Sequence, residues 1–261
     1  KTKWKAIISN GFRNPNIDDV GKIRENRGYL IVPNPLLLPE YAYNFELGLT
    51  KYLKKEKNYI SIQAFTTLIS RHIGRNNYPV FSDQTTSSNN TILYNNEELI
   101  TLANNNLGNR YMLGTSLDGN IYFTDKISLK GDINIINALK SEQFGPLPSI
   151  SPVFLNLFLN YEKKRWFASL KYQHSGNKSP DEYSLGGEDS LEETPIISES
   201  QGIYAGTPAW SELSFLTQFS WNENGKITIG LENIFDVHYR SFASGISAPG
   251  RNLRIGLNLK F

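Results

Sequence analysis

Residues Asn252 to Phe261 read NLRIGLNLKF. Leu253, Ile255, Leu257, Leu259 and Phe261 alternate with Asn252, Arg254, Gly256, Asn258 and Lys260, so all ten positions follow a period of two. Side chains on a β-strand point to opposite faces in turn, and this segment therefore has one wholly apolar face and one that is polar or small. The division recurs upstream. Ile227, Ile229 and Leu231 oppose Lys226, Thr228 and Gly230; Leu213, Phe215, Thr217, Phe219 and Trp221 oppose Ser214, Leu216, Gln218 and Ser220; Trp166, Ala168, Leu170 and Tyr172 oppose Arg165, Ser169 and Lys171. Val153 to Glu162, Ile127 to Ile135 and Lys1 to Ser9 alternate in the same way, and Tyr111 to Phe123, Tyr59 to Ser70 and Tyr41 to Leu53 do so less cleanly. The pattern predicts about ten antiparallel strands.

The connections alternate in length. Lys54 to Lys57, Thr124 to Lys126, Lys163 to Lys164 and Asn222 to Gly225 are short and polar, whereas the stretches near 12–40, 73–107, 139–151, 176–209 and 236–249 are long and hold the Pro, Gly, Ser and Asn. The longest far exceed the roughly two to five residues of a hairpin loop, so the sheet has a short-turn side and a long-loop side. The 261 residues carry 27 Lys plus Arg against 25 Asp plus Glu, and a formal net charge of +2 gives no footing for nucleic-acid binding. With no Cys, and His only at His72, His174 and His238, thiol chemistry and thiolate metal sites are excluded; no catalytic residue, metal or cofactor is expected. No window approaches the ~18 to 20 apolar residues of a membrane-spanning helix. At 39% apolar with a negative mean hydropathy the average resembles a soluble domain, yet 14 Tyr, 14 Phe and 28 Asn make a β- and turn-rich inventory.

A soluble β-sandwich also alternates, but three features favour a membrane barrel. Segments of nine to thirteen residues match the ~9 to 11 tilted residues that cross a bilayer better than the ~5 to 6 of an average soluble strand. Phe123, Tyr161, Trp166, Trp221 and Phe261 sit on the apolar parity beside the short turns, as an interfacial girdle does. Glu46, Lys130, Asp132, Lys171 and Arg254 place charge on the polar parity, whereas the apolar parity keeps Lys and Arg from its middle, where each would cost ~2 to 4 kcal/mol in lipid. The expected fold is all-β: an antiparallel transmembrane β-barrel wall with its apolar face on outer-membrane lipid and its polar face on a lumen.

Two groups of motifs carry a family resemblance. Gly230 to Phe235 (GLENIF), with Asp236, Tyr239 and Pro249-Gly250-Arg251, leads into the last strand. Gly11 to Asn16 (GFRNPN), Pro33 to Leu37 (PNPLL), Pro39-Glu40 and Asn44 to Leu49 (NFELGL) lie about 200 residues earlier. In that order and at that distance they resemble the TonB-dependent receptors of Gram-negative outer membranes, over nearly the whole chain. The resemblance implies a barrel of about 22 strands filled by an N-terminal plug. Residues 1–261 would be its C-terminal portion, with the plug and the first barrel strands outside it. It further implies uptake of a scarce nutrient, a ferric siderophore or haem, with energy from the TonB complex reached through the plug, and no enzyme activity. Gly256, Leu257, Leu259 and Phe261 resemble the signal read by the barrel assembly machinery, and Glu46, Lys130, Asp132, Lys171 and Arg254 become lumen residues facing the plug.

The ligand-binding candidates lie on the long-loop side: Arg27, Tyr29, His72, Arg75, Tyr78, Phe81, Tyr183, Tyr204, His238 and Arg240. Arg71 and Arg75 beside His72 suit an anionic ligand, and loop aromatics either carry binding energy or anchor an outer girdle. FRNP (Phe12 to Pro15) and NPLL (Asn34 to Leu37) resemble the paired boxes of haem receptors, but residues 16–33 between them hold no His, a departure from that family's axial ligand. Each His also has a plainer reading: His72 as a solvated loop base, His174 as a strand end, His238 as packing within DVHYR. Other functional classes compete. A complete small outer-membrane barrel would act as a passive porin or adhesin, or as a hydrolase using Asp83 near His72 or Asp236 near His238, neither within a nucleophile motif.

Overall fold

Ten of the alternating segments become long strands of one antiparallel sheet, ordered along the sheet as along the chain. They are β1 (Thr2–Arg13), β2 (Glu40–Tyr52), β3 (Tyr59–Ser70), β4 (Arg110–Tyr122), β5 (Ile127–Ala138), β6 (Phe154–Lys163), β7 (Trp166–Ser175), β8 (Trp210–Asn222), β9 (Gly225–Glu232) and β10 (Asn252–Leu259). The computed structural model describes residues 1–26, 28–53, 57–80, 90–185 and 188–260. Phe261, the last residue of the assembly-signal and girdle readings, lies outside them, as do residues 54–56 of the first short turn. The sheet is open, with β1 and β10 as its edges.

Register carries the two faces across the whole wall. Trp4, Leu49, Ile62, Leu117, Ile133 and Leu155 form one apolar row, and Leu129, Leu159, Leu170, Phe215, Leu231 and Leu253 form another. On the opposite face Ser61, Asp118, Asp132, Asn156, Gln173 and Glu212 stand side by side. The burial is inverted relative to a soluble protein. Trp4, Ile8, Phe12, Phe45, Leu47, Ile62, Leu253 and Leu257 are exposed, and the wall strands pack chiefly against their hydrogen-bonded neighbours. A sandwich would cover this face with a second sheet; here it is left for lipid.

Aromatic residues mark both ends of the apolar face. Phe123, Tyr161 and Trp166 are exposed at the short-turn end, where the Trp166 and Phe219 rings lie 4.6 Å apart. Trp221 lies over Gly225, where a Cβ would meet the indole at 2.1 Å. Phe12, Tyr41, Tyr43 and Tyr111 are exposed at the long-loop end.

Two of the long connections differ from the irregular loops expected. Glu97–Asn106 pairs in parallel with Tyr29–Ile31 and antiparallel with Ile73–Asn77 and Thr91–Tyr94, and Arg24–Asn26 completes a five-stranded sheet. Most of the buried apolar core is here rather than in the wall: Leu30, Ile31, Ile73, Leu99, Leu102, Ala103 and Leu107. Water surrounds the loops, so apolar burial drives their folding while the wall's apolar face requires none.

Candidate functional site

The conspicuous motifs first settle the loops. Asn16 caps the short helix Ile17–Gly21 by accepting from the Asp19 backbone N–H at 2.9 Å, and the Asp19 carboxylate accepts from the Arg13 guanidinium at 2.6 Å and from Asn104 at 3.1 Å. Asn34 donates to the Asn104 carbonyl at 2.8 Å, and Asn106 donates to the carbonyls of Leu38 and Arg71, both at 2.9 Å. The asparagines at 104–106 thus stitch the first long loop to the second. In GLENIF, Asn233 sits in the left-handed region at φ 49°, where Asn is better tolerated than most residues. Its amide donates to the Val237 and Pro249 carbonyls and accepts from the Val237 N–H, while Asp236 accepts from the Arg251 N–H at 2.7 Å.

Two recesses open from this scaffold. One of about 550 Å³ lies against the polar face of the wall and is lined by Lys130, Lys171, Gln173, Glu212, Glu232 and Arg254, among others. The polar face is therefore the concave one. The other, about 500 Å³, lies among the loops and is lined by Glu192, Glu193, Trp210, His238, Tyr239 and Arg240, among others. Tyr239 borders both, its ring stacked on Trp210 at 4.0 Å and 23°. Burial, helped by the nearby Glu212 charge, raises the Tyr239 phenol above its ordinary range, so it stays a neutral hydroxyl at neutral pH. In the loop recess Arg240 donates to the Glu193 carbonyl at 2.7 Å and to Ser247 at 3.2 Å, and His238 Nε2 lies 3.1 Å from Ser247 Oγ. The result is an aromatic platform between charges of both signs, suited to a ligand with a broad apolar or planar face and scattered polar groups.

The structure brings His238 and Arg240 together at that recess, with Tyr204 nearby in a hairpin strand whose partner Ile196 lines it. Other candidates are engaged elsewhere. Tyr183 is 7% exposed, its hydroxyl 2.6 Å from Thr207 Oγ1. His72 is buried rather than solvated, its Nδ1 2.9 Å from the Glu40 carboxylate. Arg75 lies 3.8 Å from Glu188, Tyr78 lines a separate recess beside Val32 and Pro33, and Tyr29 is in the loop sheet. His174 Nδ1 lies 2.9 Å from Ser211 Oγ. Arg27, Phe81 and Asp83 lie outside the described residues. Asp236 is taken up by the Arg251 backbone, so it forms no acid–base pair with His238.

Register puts Glu46, Lys130, Asp132, Lys171 and Arg254 on the one concave face. Glu46 meets Lys5 at 3.2 Å, Arg254 meets Glu232 at 2.9 Å, and Asp132 accepts from Asn134 and Asn156. Sequence reasoning missed Glu212, which is 5% exposed and accepts from Ser214 and from the Asn233 N–H at 2.8 Å. It missed Lys178 and Asp189 too. Their ion pair of 3.3 Å is buried; Lys178 Nζ donates to the Ile150 carbonyl at 2.6 Å and lies 4.1 Å from the Phe242 ring centre, tying three loops together. Parity would have found Gln173, but nothing local marks Lys178.

Comparison with known proteins completes the picture. A family model described as TonB dependent receptor-like, beta-barrel matches residues 2–234. Among solved structures, the copper transporter OprC is similar to the chain with a TM-score of 0.72 at 15% identity, covering 100% of this chain and 37% of its own. The siderophore receptor PirA from Acinetobacter baumannii gives 0.71 at 17%, covering 100% and 39%. A variant of the ferric enterobactin receptor PfeA from Pseudomonas aeruginosa, in complex with enterobactin, gives 0.74 at 15%, covering 100% and 38%. The chain thus spans less than two fifths of each, and at these identities the likeness is one of fold. No curated protein matches the sequence.

Proposed function

The chain belongs to the TonB-dependent receptor β-barrel family, whose members are Gram-negative outer-membrane proteins, and from that premise we propose that it takes up a scarce nutrient by active transport, a ferric siderophore before other cargo. The observation that carries this is the pair of recesses meeting at Tyr239, one among the loops and one on the concave wall. Tyr239 lines both, so a ligand held among the loops would lie beside the recess on the wall. The names siderophore receptor and ferric enterobactin receptor, borne by structures of the same fold, support the cargo. In this reading the protein's own plug rests against Glu46, Lys130, Asp132, Lys171 and Arg254 and passes energy from the TonB complex, and the barrel assembly machinery reads the terminal strand. The cargo crosses chemically unchanged, so no catalytic group is needed. A haem-type ligand is the second reading, favoured by His238, which lines the loop recess of about 500 Å³.

Growth of a deletion strain on single iron sources tests both readings. Loss of growth on one ferric siderophore is expected, with rescue by the intact gene and weakened rescue by the Trp210→Ala or Tyr239→Ala variant. Loss on haem alone selects the second reading, and unchanged growth on every iron source overturns both. Swelling of liposomes containing the full protein in small sugars would instead favour a passive porin.

A further inference from the structure

Charge on the lipid-facing positions of the wall is confined to one rim. Register puts Lys51 and Lys163 on the apolar parity of the ten strands, and among the described residues no other Lys, Arg, Asp or Glu of those strands shares it. Both lie at the short-turn end. Lys51 stands between Thr2 and Ile60, its Nζ 3.3 Å from Thr2 Oγ1, and Lys163 is the register partner of the exposed Trp166. At the long-loop end the same parity carries Phe12, Tyr41, Tyr43 and Tyr111, and no Lys or Arg among the described residues.

Three more exposed cations extend the short-turn rim: Lys126 in the turn from β4 to β5, and Lys164 and Arg165 in the turn from β6 to β7. The carboxylates beside them are Asp125 and Glu162, and Glu162 has the lumen parity, opposite Phe167. Neighbouring strands lie ~4.8 Å apart, so the five cations follow an arc of roughly 24 Å from β2 to β7. The exposed rings of Phe123, Tyr161 and Trp166 lie along the lipid side of that arc. Aromatic girdles mark the headgroup level, and a Lys beside one keeps its methylenes in the apolar layer and its charge among the headgroups. A cation placed for solvation alone gains nothing from the lipid parity, whereas one that meets a lipid phosphate does. A zwitterionic headgroup brings its own cation to that phosphate; an anionic one leaves it for the protein.

Outer-membrane barrels carry their short turns on the periplasmic side. From the confinement of lipid-facing charge to that rim we propose that the arc from β2 to β7 binds anionic phospholipid headgroups, of the phosphatidylglycerol type, in the periplasmic leaflet of the outer membrane. The surface is separate from both recesses assigned to the cargo, so its test does not depend on the transport reading.

Full-length protein is extracted from vesicles of equimolar phosphatidylglycerol and phosphatidylethanolamine, and the lipids it retains are counted by native mass spectrometry. Phosphatidylglycerol should be retained in preference. Lys163→Gln should lower that preference about fivefold, the worth of one cation near an anionic surface, and Lys163→Gln/Lys164→Gln/Arg165→Gln should lower it further, whereas Lys163→Arg should keep it. Lys130→Gln/Lys171→Gln, which removes two cations from the lumen face, should leave it unchanged. Heat-modifiability on gels shows that each variant is folded, and Lys51→Gln supplies a second site on another strand should the turn variants fail to fold. Equal retention of the two lipids by the unaltered protein overturns the proposal, as does an undiminished preference in the folded rim variants. Displacement of the lipid by inorganic phosphate at equal ionic strength would mean that the rim binds phosphate alone, and overturns it too.

Discussion

At the scale of single residues, the loop end depends on a few side chains with several partners each. Asn233 is the plainest case. Replacing it with Ala removes three hydrogen bonds worth about 1 kcal/mol apiece and puts a less tolerant residue at φ 49°. The Asn233→Ala variant should lose about 3 kcal/mol locally and become sensitive to proteolysis between 233 and 251. Glu188 supplies a pH dependence. Burial, with Asp189 adding to it, raises its carboxyl above the ordinary Glu range against the pull of Arg75, His72 and Arg13. The packed loop then binds the proton more tightly than the unfolded loop does. Its contribution is therefore fully present below the ordinary Glu pKa of about 4.3 and is lost as pH rises through the raised value. Amide protection factors around Glu188 should fall between acidic and neutral pH, and Glu188→Gln should flatten that fall. Equal pH dependence in the two proteins would refute the assignment.

At the scale of elements, each wall strand is two surfaces sharing a backbone. Ile255 lies mid-strand on the lipid face of β10, and its register partner is Ile229; Thr228 of β9 lies on the concave face opposite Gly256. Ile255→Lys should cost ~2 to 4 kcal/mol on folding into lipid vesicles, whereas Thr228→Lys should cost far less. Equal costs would mean that the faces are misassigned. The loops obey other physics. Removing one partner of the buried Lys178–Asp189 pair, as in Asp189→Ala, should cost ~3 to 5 kcal/mol in loop stability, and the double variant Lys178→Met/Asp189→Leu should recover most of it. Limited proteolysis of the loop joining β7 to β8 reads both. The wall was legible because period-two alternation is visible within each strand. The loop sheet was not, since Glu97–Asn106 shows its role only beside Tyr29–Ile31, some seventy residues away.

At the scale of the whole molecule, β1 and β10 each leave one edge of backbone donors and acceptors unpaired. A hydrocarbon environment does not tolerate such an edge, and because barrel diameter grows with strand number, a barrel closed from these ten strands alone would be far narrower than one of about 22. On the proposal that residues 1–261 are part of a longer barrel, they should aggregate when refolded alone into detergent, whereas a longer chain that supplies the remaining strands should give a heat-modifiable barrel on gels. A closed, conducting pore from residues 1–261 alone would contradict this. The average composition misleads for the same structural reason: lipid-facing and lumen-facing residues alternate, and their mean resembles a soluble surface.

By itself, the sequence determined the two-faced strands, their order and the side on which the long loops lie, because each follows from alternation and spacing along the chain. The tertiary structure alone decided which loops pair, and which candidate residues face a recess. His72 and Tyr183 look like ligand contacts in sequence, but the structure engages them with Glu40 and Thr207; His238 and Arg240 look no different and line the loop recess. The physical reason is that burial and partnership belong to a side chain's neighbours. In the loops those neighbours come from distant stretches of chain, brought together by apolar burial that no local pattern records.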